Sequence, residues 1–140
     1  MFSALDVSTS GLIAQRTRMN AISSNLANMN TPINEDGNND PYQARFVIFQ
    51  TDPTVGGNSG AAGVKVSSVE TATEEPRWKY QPGHPLAMKD GPHKDYVAYP
   101  AIDMMVEFTD ALEAARSYEA NIGAMEITKD MAQQTLRILG

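Results

Sequence analysis

The sequence predicts a mainly α-helical, elongated protein whose terminal helices pack as a coiled-coil-like pair, with a short antiparallel β-sheet and long loops between them. The first observation is an apolar periodicity with alternating steps of four and three over residues 103–139. The second is a seven-residue apolar spacing near the N-terminus. The third is the concentration of Pro and Gly in the middle of the chain. We therefore divide the chain into an N-terminal helical segment (1–32), a central β and loop region (33–100) and a C-terminal long helix (101–140).

The N-terminal helix is predicted from a single apolar row. Its members, seven residues apart, are Leu5, Leu12, Met19 and Leu26. The Ser and Thr residues at positions 8–10 are weak helix formers and Gly11 costs about 1 kcal/mol relative to Ala, so we expect a helix over residues 11–28 capped by Ser10. Asn28, followed by Thr31 and Pro32, is expected to end it.

The central region is predicted to hold three or four strands of one small sheet. A turn is expected at Asp36 and Gly37, and strands are expected within residues 42–50, 63–69, 77–80 and 96–99. The Gly-rich residues 52–63 contain no large apolar residue except Val55, which predicts a mobile loop. Residues 81–95 include three prolines and cannot hold regular structure throughout.

The C-terminal helix is predicted to span residues 103–139, or roughly 50 Å at about 1.5 Å per residue. Its first apolar row comprises Met104, Phe108, Ala111, Ala115, Tyr118, Ile122, Met125, Ala132, Leu136 and Leu139. A second row beside it comprises Ala120, Ala124, Ile127, Met131 and Ile138. Ordering two helices costs on the order of 1 to 2 kcal/mol per residue in backbone entropy, so a lone pair is marginal and neighbouring chains are expected to cover these rows.

The predicted functional site is therefore an assembly interface on both helices. It consists of Leu5, Leu12, Met19, Ile22, Leu26, Met104, Phe108, Tyr118, Ile122, Met125, Leu136 and Leu139. Whether the helices pair within one subunit or between subunits stays open at this point.

A metal site is the first alternative to an assembly interface. His84 and His93 lie in one loop with Asp90 and Asp95 nearby, but the Gly and Pro residues between them fix no common face, so solvated loop residues are the favoured interpretation. Trp78 is interpreted as an anchor of the small sheet rather than a ligand platform.

Two further patterns could indicate catalysis or ligand binding, and each has a simpler interpretation. Carboxylates recur at steps of three and four on the C-terminal helix and are interpreted as a solvated face: Asp103, Glu107, Asp110 and Glu113. The Gly-rich residues 56–60 lack the strand, helix and Lys of a phosphate-binding loop. We predict no catalytic residue, no cofactor and no metal, and hence not an enzyme.

The composition disfavours some classes of binding partner. The net charge of −6 and a pI near 4.8 disfavour nucleic acid and anionic membrane surfaces, which need basic patches. No apolar run approaches the roughly 20 residues that span a bilayer, and the first 29 residues do not have the pattern of a cleavable signal. The chain has no cysteine, which excludes disulfides.

The terminal motifs resemble a known family. Residues 4–30, with the pair Ser10 and Gly11 and the motif SNLAN at residues 24–28, are similar to the N-terminal signature of bacterial flagellar rod, hook and related axial proteins. Residues 116–121 (RSYEAN), followed by a helix to the C-terminus, resemble the closing signature of the same family. Residues 31–34 depart from it, because the family's common Thr-x-Gly-Tyr appears here as TPIN.

The resemblance implies a structural, non-enzymatic subunit of the basal-body rod, which polymerises helically in the periplasm and transmits torque towards the hook. It implies export through the flagellar type III pathway without signal cleavage. It also implies partners, namely other copies of the chain, proximal and distal rod proteins, the rotor base and the export gate. The rival interpretation is a secreted binding module that shares this export route.

Overall fold

Two long terminal helices and two β-ribbons make up the protein. The structure is a computed structural model that describes residues 2–33, 40–57 and 60–139, with the side chains of Phe2 and Leu139 outside that description. In chain order the elements are α1 (Phe2–Asn28), β1 (Arg45–Asp52), β2 (Gly63–Thr71), β3 (Arg77–Tyr80), β4 (Tyr96–Tyr99) and α2 (Met104–Leu139). The fold class is as predicted, mainly helical and elongated, with a small antiparallel β region in the middle.

Helix α1 is longer than expected, because it begins at Phe2 rather than at Gly11. The hydroxyls that made this segment look unfavourable bond back to the helix itself, with Thr9 Oγ1 donating to the Leu5 carbonyl at 2.7 Å and Ser10 Oγ to the Val7 carbonyl at 2.6 Å. Ser10 is therefore not an N-cap. The predicted end at Asn28 is correct, and the Thr31 amide donates to the Asn28 carbonyl at 3.0 Å.

The four strands form two separate two-stranded ribbons and not one sheet. β1 pairs with β2 antiparallel and β3 pairs with β4 antiparallel. The β1–β2 register shifts between Ile48 and Phe49, which leaves one extra residue on β2 and bends the ribbon. The prediction of a single sheet was wrong because strand propensity locates strands but carries no information on which strands pair.

The helices lie antiparallel, as three contacts along their length show. Gly11 approaches Asn121, Arg18 pairs with Glu113 and Asn25 bonds to Glu107, so residues rising along α1 meet residues falling along α2. α2 begins at Met104 with Asp103 as its N-cap, since the Asp103 carboxylate accepts from the Met105 amide at 2.8 Å. The helices thus pair within one chain.

Two sequence predictions fall on undescribed residues. The turn at Asp36 and Gly37 lies outside the described residues, and so do residues 58–59 of the predicted mobile loop, whose mobility stays a prediction. In the described part of that loop, Thr54 donates to the Asp52 carboxylate through its amide and hydroxyl. Along the described chain, neither helix is long and apolar enough to cross a membrane.

Candidate assembly interface

Helix α1 has three faces with different surroundings. One faces α2, one faces the β1–β2 ribbon, and the third borders a groove that no other element covers in the described part of the chain. The face towards α2 makes contacts that recur at seven-residue steps through Gly11, Arg18 and Asn25. Seven residues are nearly two helical turns, so these positions share one side of the helix. The predicted apolar heptad row lies to one side of them.

Asn25 joins three elements at the centre of the molecule, and we call it, with Tyr42, Arg45 and Glu107, the Asn25 junction. It is 2% exposed. Its amide nitrogen donates to the Arg45 carbonyl at 2.9 Å and to Glu107 Oε1 at 3.1 Å. Its oxygen accepts from the Arg45 amide at 2.8 Å and from the Tyr42 hydroxyl at 3.2 Å. All four hydrogen-bonding positions of the side chain are filled, which fixes β1 and α2 against α1.

The Glu107 carboxyl of the Asn25 junction has a perturbed acidity. Burial raises the pKa of the Glu107 carboxyl, because it disfavours the charged form. The Asn25 hydrogen bond opposes this rise and the negative charge of Asp110 adds to it. The carboxylate is therefore held at the junction at an electrostatic cost.

The predicted acidic face of α2 is partly an intrachain contact. Arg18 lies 3.6 Å from the carboxylates of both Asp110 and Glu113. Asp103 caps the helix and Glu107 belongs to the Asn25 junction, so only part of this row is solvated. Exposed ion pairs of this kind contribute roughly 0.2–1 kcal/mol each, which makes them guides to register more than sources of stability.

The face of α1 towards the β1–β2 ribbon lies on another side of the helix and packs closely against β2. Ser10 Oγ accepts from the Val64 amide at 3.0 Å, and a Cβ on Gly63 would meet that same oxygen at 2.7 Å. Ala14 and Ala21 are 2% and 8% exposed, and small side chains permit this close packing. The family-type pair Ser10 and Gly11 therefore serves two close approaches, to β2 and to α2.

The third face leaves an apolar groove open between the helices. One half of it, about 410 Å³, is lined by Leu5, Leu12, Ile122, Met125, Glu126 and Lys129. The other half, about 370 Å³, is lined by Met19, Ile22, Ser23, Leu26, Phe108, Ala111, Leu112 and Ala115. The α1 heptad row lies along both halves. We refer to the two halves together as the apolar groove.

The C-terminal end of α2 extends past the start of α1. The antiparallel register brings Asn121 beside Gly11. Helix α1 begins nine residues before Gly11, at Phe2, which lies opposite residues near 130. Beyond that point Met131 is 59% exposed, Leu136 70% and Ile138 85%. We call residues 131–139 the α2 overhang.

The predicted interface residues divide into three groups. Those that line the apolar groove are Leu5, Leu12, Met19, Ile22, Leu26, Phe108, Ile122 and Met125, of which Ile22 is buried within the chain at 5% exposure. Two others are exposed outside it, Met104 at 44% and Leu136 at 70%. Tyr118 is half-buried on α2, and the side chain of Leu139 lies outside the described part. Every member of the second row of α2 is exposed.

The loop histidines have other partners. The His93 ring stacks on Trp78 with centroids 4.1 Å apart and planes 4° apart, and His84 Nδ1 accepts from the Leu86 amide at 3.1 Å. Trp78 thus packs against the loop that joins β3 to β4. Within residues 2–33, 40–57 and 60–139, no three His, Asp or Glu side chains are grouped to hold a metal ion.

Sequence reasoning missed the Asn25 junction. Asn25 is a poor helix former that lies inside a predicted helix, three residues after the apolar Ile22, and this is the signal that could have found it. Glu107 could not have been separated from its acidic neighbours by spacing alone. The groove, by contrast, follows from the heptad row.

These features define a class of protein, a helical structural subunit whose chain is closed on one side by polar contacts and open on the other along an apolar groove. Comparison with known sequences agrees. Residues 5–32 match the model of the flagella basal body rod protein family, and residues 94–138 match the C-terminal model of flagellar basal body rod FlgEFG proteins.

Individual relatives match over nearly the whole chain. The flagellar basal-body rod protein FlgC of Salmonella typhimurium is 38% identical, with 99% of this chain and 97% of the relative covered. FlgC of Borreliella burgdorferi is 34% identical over 99% and 97%, and FlgC of Bacillus subtilis is 37% identical over 98% and 97%. The chain belongs to the flagellar basal-body rod protein family, which confirms the resemblance of the terminal motifs.

Proposed function

We propose that this chain is a structural subunit of the flagellar basal-body rod, most like the proximal rod protein FlgC, and that it assembles helically through the apolar groove and the α2 overhang. The observation that carries the proposal is the apolar groove between the helices, whose two halves one chain leaves open. Family membership supplies the setting. The rod acts as the drive shaft between motor and hook.

The groove has the shape and chemistry of a helix-binding surface. Its α1 side repeats every seven residues, the spacing at which one helix packs into the holes of another. Full burial of a Leu, Ile, Phe or Met side chain contributes roughly 1.5–3 kcal/mol, so covering the half-exposed groove residues provides a substantial driving force. Recognition by this surface is of the helix-in-groove type.

The α2 overhang suits the opposite side of such a contact. Its nine residues span about 13 Å at 1.5 Å per residue, similar to the seven-residue distance between Leu5 and Leu12 that one half of the groove covers. Because the overhang and the groove are different surfaces, a contact between them is heterologous, and such a contact generates a helical array wherever its rotation does not close into a ring. The occupant is a helix of another copy or of another rod protein.

The finer assignments are also part of the proposal. The chain would act in the periplasm after export through the type III pathway without signal cleavage. Its partners would be other copies, proximal and distal rod proteins, and the rotor base and export gate at its lower end. The protein has no enzymatic role in this proposal, which agrees with the structural nature of its family.

Removal of the α2 overhang tests the proposal. A chain ended after Asp130 should keep its far-ultraviolet circular dichroism per helical residue, because the large apolar residues Met131, Leu136 and Ile138 that it loses are exposed, but should be absent from purified basal bodies and fail to support motility. Normal motility with the shortened chain would contradict the proposed role of the overhang.

A matched pair separates loss of apolar contact from loss of length. Leu136→Gln with Ile138→Gln removes the exposed apolar side chains and should prevent incorporation. Gln133→Ala with Gln134→Ala changes two exposed polar neighbours on the same turn of helix and should leave incorporation intact. Equal effects of both pairs would contradict an apolar contact through the α2 overhang.

A further inference from the structure

A basic cleft lies away from the helix groove, between the end of α1 and the β3–β4 ribbon. It has a volume of about 570 Å³ and is lined by Asn30, Arg77, Lys79 and Tyr99. Arg77 and Lys79 are two residues apart on β3, so their side chains share one face of the strand. Two cations thus line one cleft in a chain whose net charge is −6.

Arg77 is held in a fixed orientation. Its Nε donates to the Pro100 carbonyl at 3.0 Å, and Pro100 is fully buried. This contact uses the nitrogen closest to the backbone and leaves the two terminal nitrogens of the guanidinium for a second partner. A guanidinium with those two nitrogens available binds a planar carboxylate in a bidentate manner.

The other lining groups complete an anion-binding cleft. The Tyr99 hydroxyl donates to Gln81 Oε1 at 3.0 Å, which fixes the ring at the wall of the cleft. The Asn30 side chain is exposed and supplies an amide donor. The ion pairs recorded among the described residues involve Arg18, so Arg77 and Lys79 have no carboxylate partner in that part of the chain.

The same chain carries a complementary group. Glu74 and Glu75 precede β3, are exposed, and make no ion pair with the described cations. Each copy therefore presents an acidic pair and a basic pair, a few residues apart, and neither pair has a partner of opposite charge among the described residues. Contact between the acidic pair of one copy and the basic pair of the next would neutralise both.

We propose that the basic cleft binds the carboxylates of Glu74 and Glu75 from a second copy of this chain. The contact is heterologous, since the two copies use different surfaces, and it repeats from copy to copy. It rests on the proposed function, because it sets the register of neighbouring copies in the rod while the apolar groove supplies affinity. Electrostatic complementarity has this role in interfaces, where it fixes register and rejects wrong partners.

Cysteine cross-linking tests the contact directly, because the chain has no cysteine of its own. Cells would express Glu75→Cys and Lys79→Cys chains together, and basal bodies would be oxidised and analysed for a disulfide-linked dimer of the two variants. We expect a yield on the order of ten times that of a control pair, Gln50→Cys with Lys79→Cys, in which the first cysteine lies on β1. A yield no higher than this control overturns the proposal.

Charge exchange gives a second, independent measurement. Arg77→Glu with Lys79→Glu, and Glu74→Lys with Glu75→Lys, should each lower the amount of chain in basal bodies by about tenfold because like charges then face each other. All four changes together keep the net charge and should restore incorporation. Failure of the fourfold variant to recover overturns contact between copies. The proposed rod function would fail separately, if the unmodified chain were itself absent from basal bodies.

Discussion

The two long edges of the helix pair differ in a way that separates folding from assembly. On the covered edge, the β1–β2 ribbon packs on α1 and the Asn25 junction joins three elements through four hydrogen bonds to one side chain. On the open edge, the apolar groove has no element of the same chain above it in the described part. The Asn25 hydrogen bonds therefore help to fix α1 against β1 and α2, whereas the apolar surface of the groove is left for partners.

The two edges differ in the kind of contact they carry, although apolar side chains such as Ala14, Ile22 and Ala114 are also buried within the chain. Directional hydrogen bonds specify register, whereas apolar contact is non-directional and tolerates sliding. Mutations on the two edges should thus have different phenotypes.

The largest expected effect is on assembly, from Leu12→Asp in the groove. A charge there prevents burial against a partner helix, so incorporation into basal bodies and motility should be lost. Leu12 is only half-buried, so the monomer should keep its helical circular dichroism.

The neighbouring Ile13→Asp is the matched control. Ile13 is 62% exposed and is not among the groove residues, so a charge at this position should leave motility near normal. If Ile13→Asp and Leu12→Asp impaired motility equally, the groove would not be the distinguishing surface.

On the covered edge, Asn25→Ala should give the largest loss of stability. It removes four hydrogen bonds from a buried side chain, among them the one from the buried Tyr42 hydroxyl, which should lower the free energy of unfolding by about 2–4 kcal/mol. Urea denaturation of the monomer measures this.

Asn28→Ala is a useful comparison because it changes the same residue type one turn later. Asn28 donates to the Ser24 carbonyl within α1 and accepts from Thr31, and it is half-buried, so its loss should cost about 1 kcal/mol or less. Equal losses for the two variants would mean that the Asn25 junction contributes no more than a helix terminus does.

The sequence predicts the open edge far better than the covered one. The groove follows from periodicity, because Leu5, Leu12, Met19 and Leu26 repeat at the helical period and must lie on one line. The end of α1 at Asn28 follows from local chemistry. Strand locations at residues 77–80 and 96–99 follow from residue type.

What could not be predicted depends on contacts distant in sequence. Asn25 and Glu107 are 82 residues apart, and nothing local marks them as partners. Helix propensity misplaces the start of α1, because it scores Gly11 and the preceding hydroxyls by residue type alone. Tertiary contacts with Asn121 and Val64 decide the conformation of this segment. The two-ribbon arrangement was missed for the same reason.

The two glycines at these close approaches should respond differently to substitution. A Cβ on Gly63 would lie 2.8 Å from Val55 Cβ, which is fixed to the backbone, so Gly63→Ala should lower the free energy of unfolding by about 1–3 kcal/mol. A Cβ on Gly11 would lie 2.8 Å from Asn121 Nδ2, the mobile end of a side chain.

Gly11→Ala should consequently be close to neutral. The gain in helix propensity of about 1 kcal/mol offsets the displacement of the Asn121 amide. Combining it with Asn121→Ala removes the clash and should make the chain more stable than Asn121→Ala alone. Urea denaturation of the native chain and of the three variants measures this. A strongly destabilised Gly11→Ala would show that the Asn121 amide cannot be displaced at this point.

The smallest expected effect concerns the pH dependence of the Asn25 junction. Burial raises the pKa of Glu107 in the folded chain, so the folded state binds its proton more readily than the unfolded state does. The contribution of Glu107 to stability therefore falls as pH rises from the unfolded value near 4.5 through the raised folded pKa, and is constant above it.

Glu107→Gln tests this sign. Gln keeps an oxygen acceptor for the Asn25 amide and carries no charge, so at pH 7 it should be at least as stable as Glu. As the pH is lowered from 7 to 5, the native chain should gain stability relative to the variant in paired urea denaturations, because only the native side chain takes up a proton. A native chain that lost stability relative to Glu107→Gln over this range would mean that the Asn25 hydrogen bond outweighs burial, and that the covered edge favours the carboxylate.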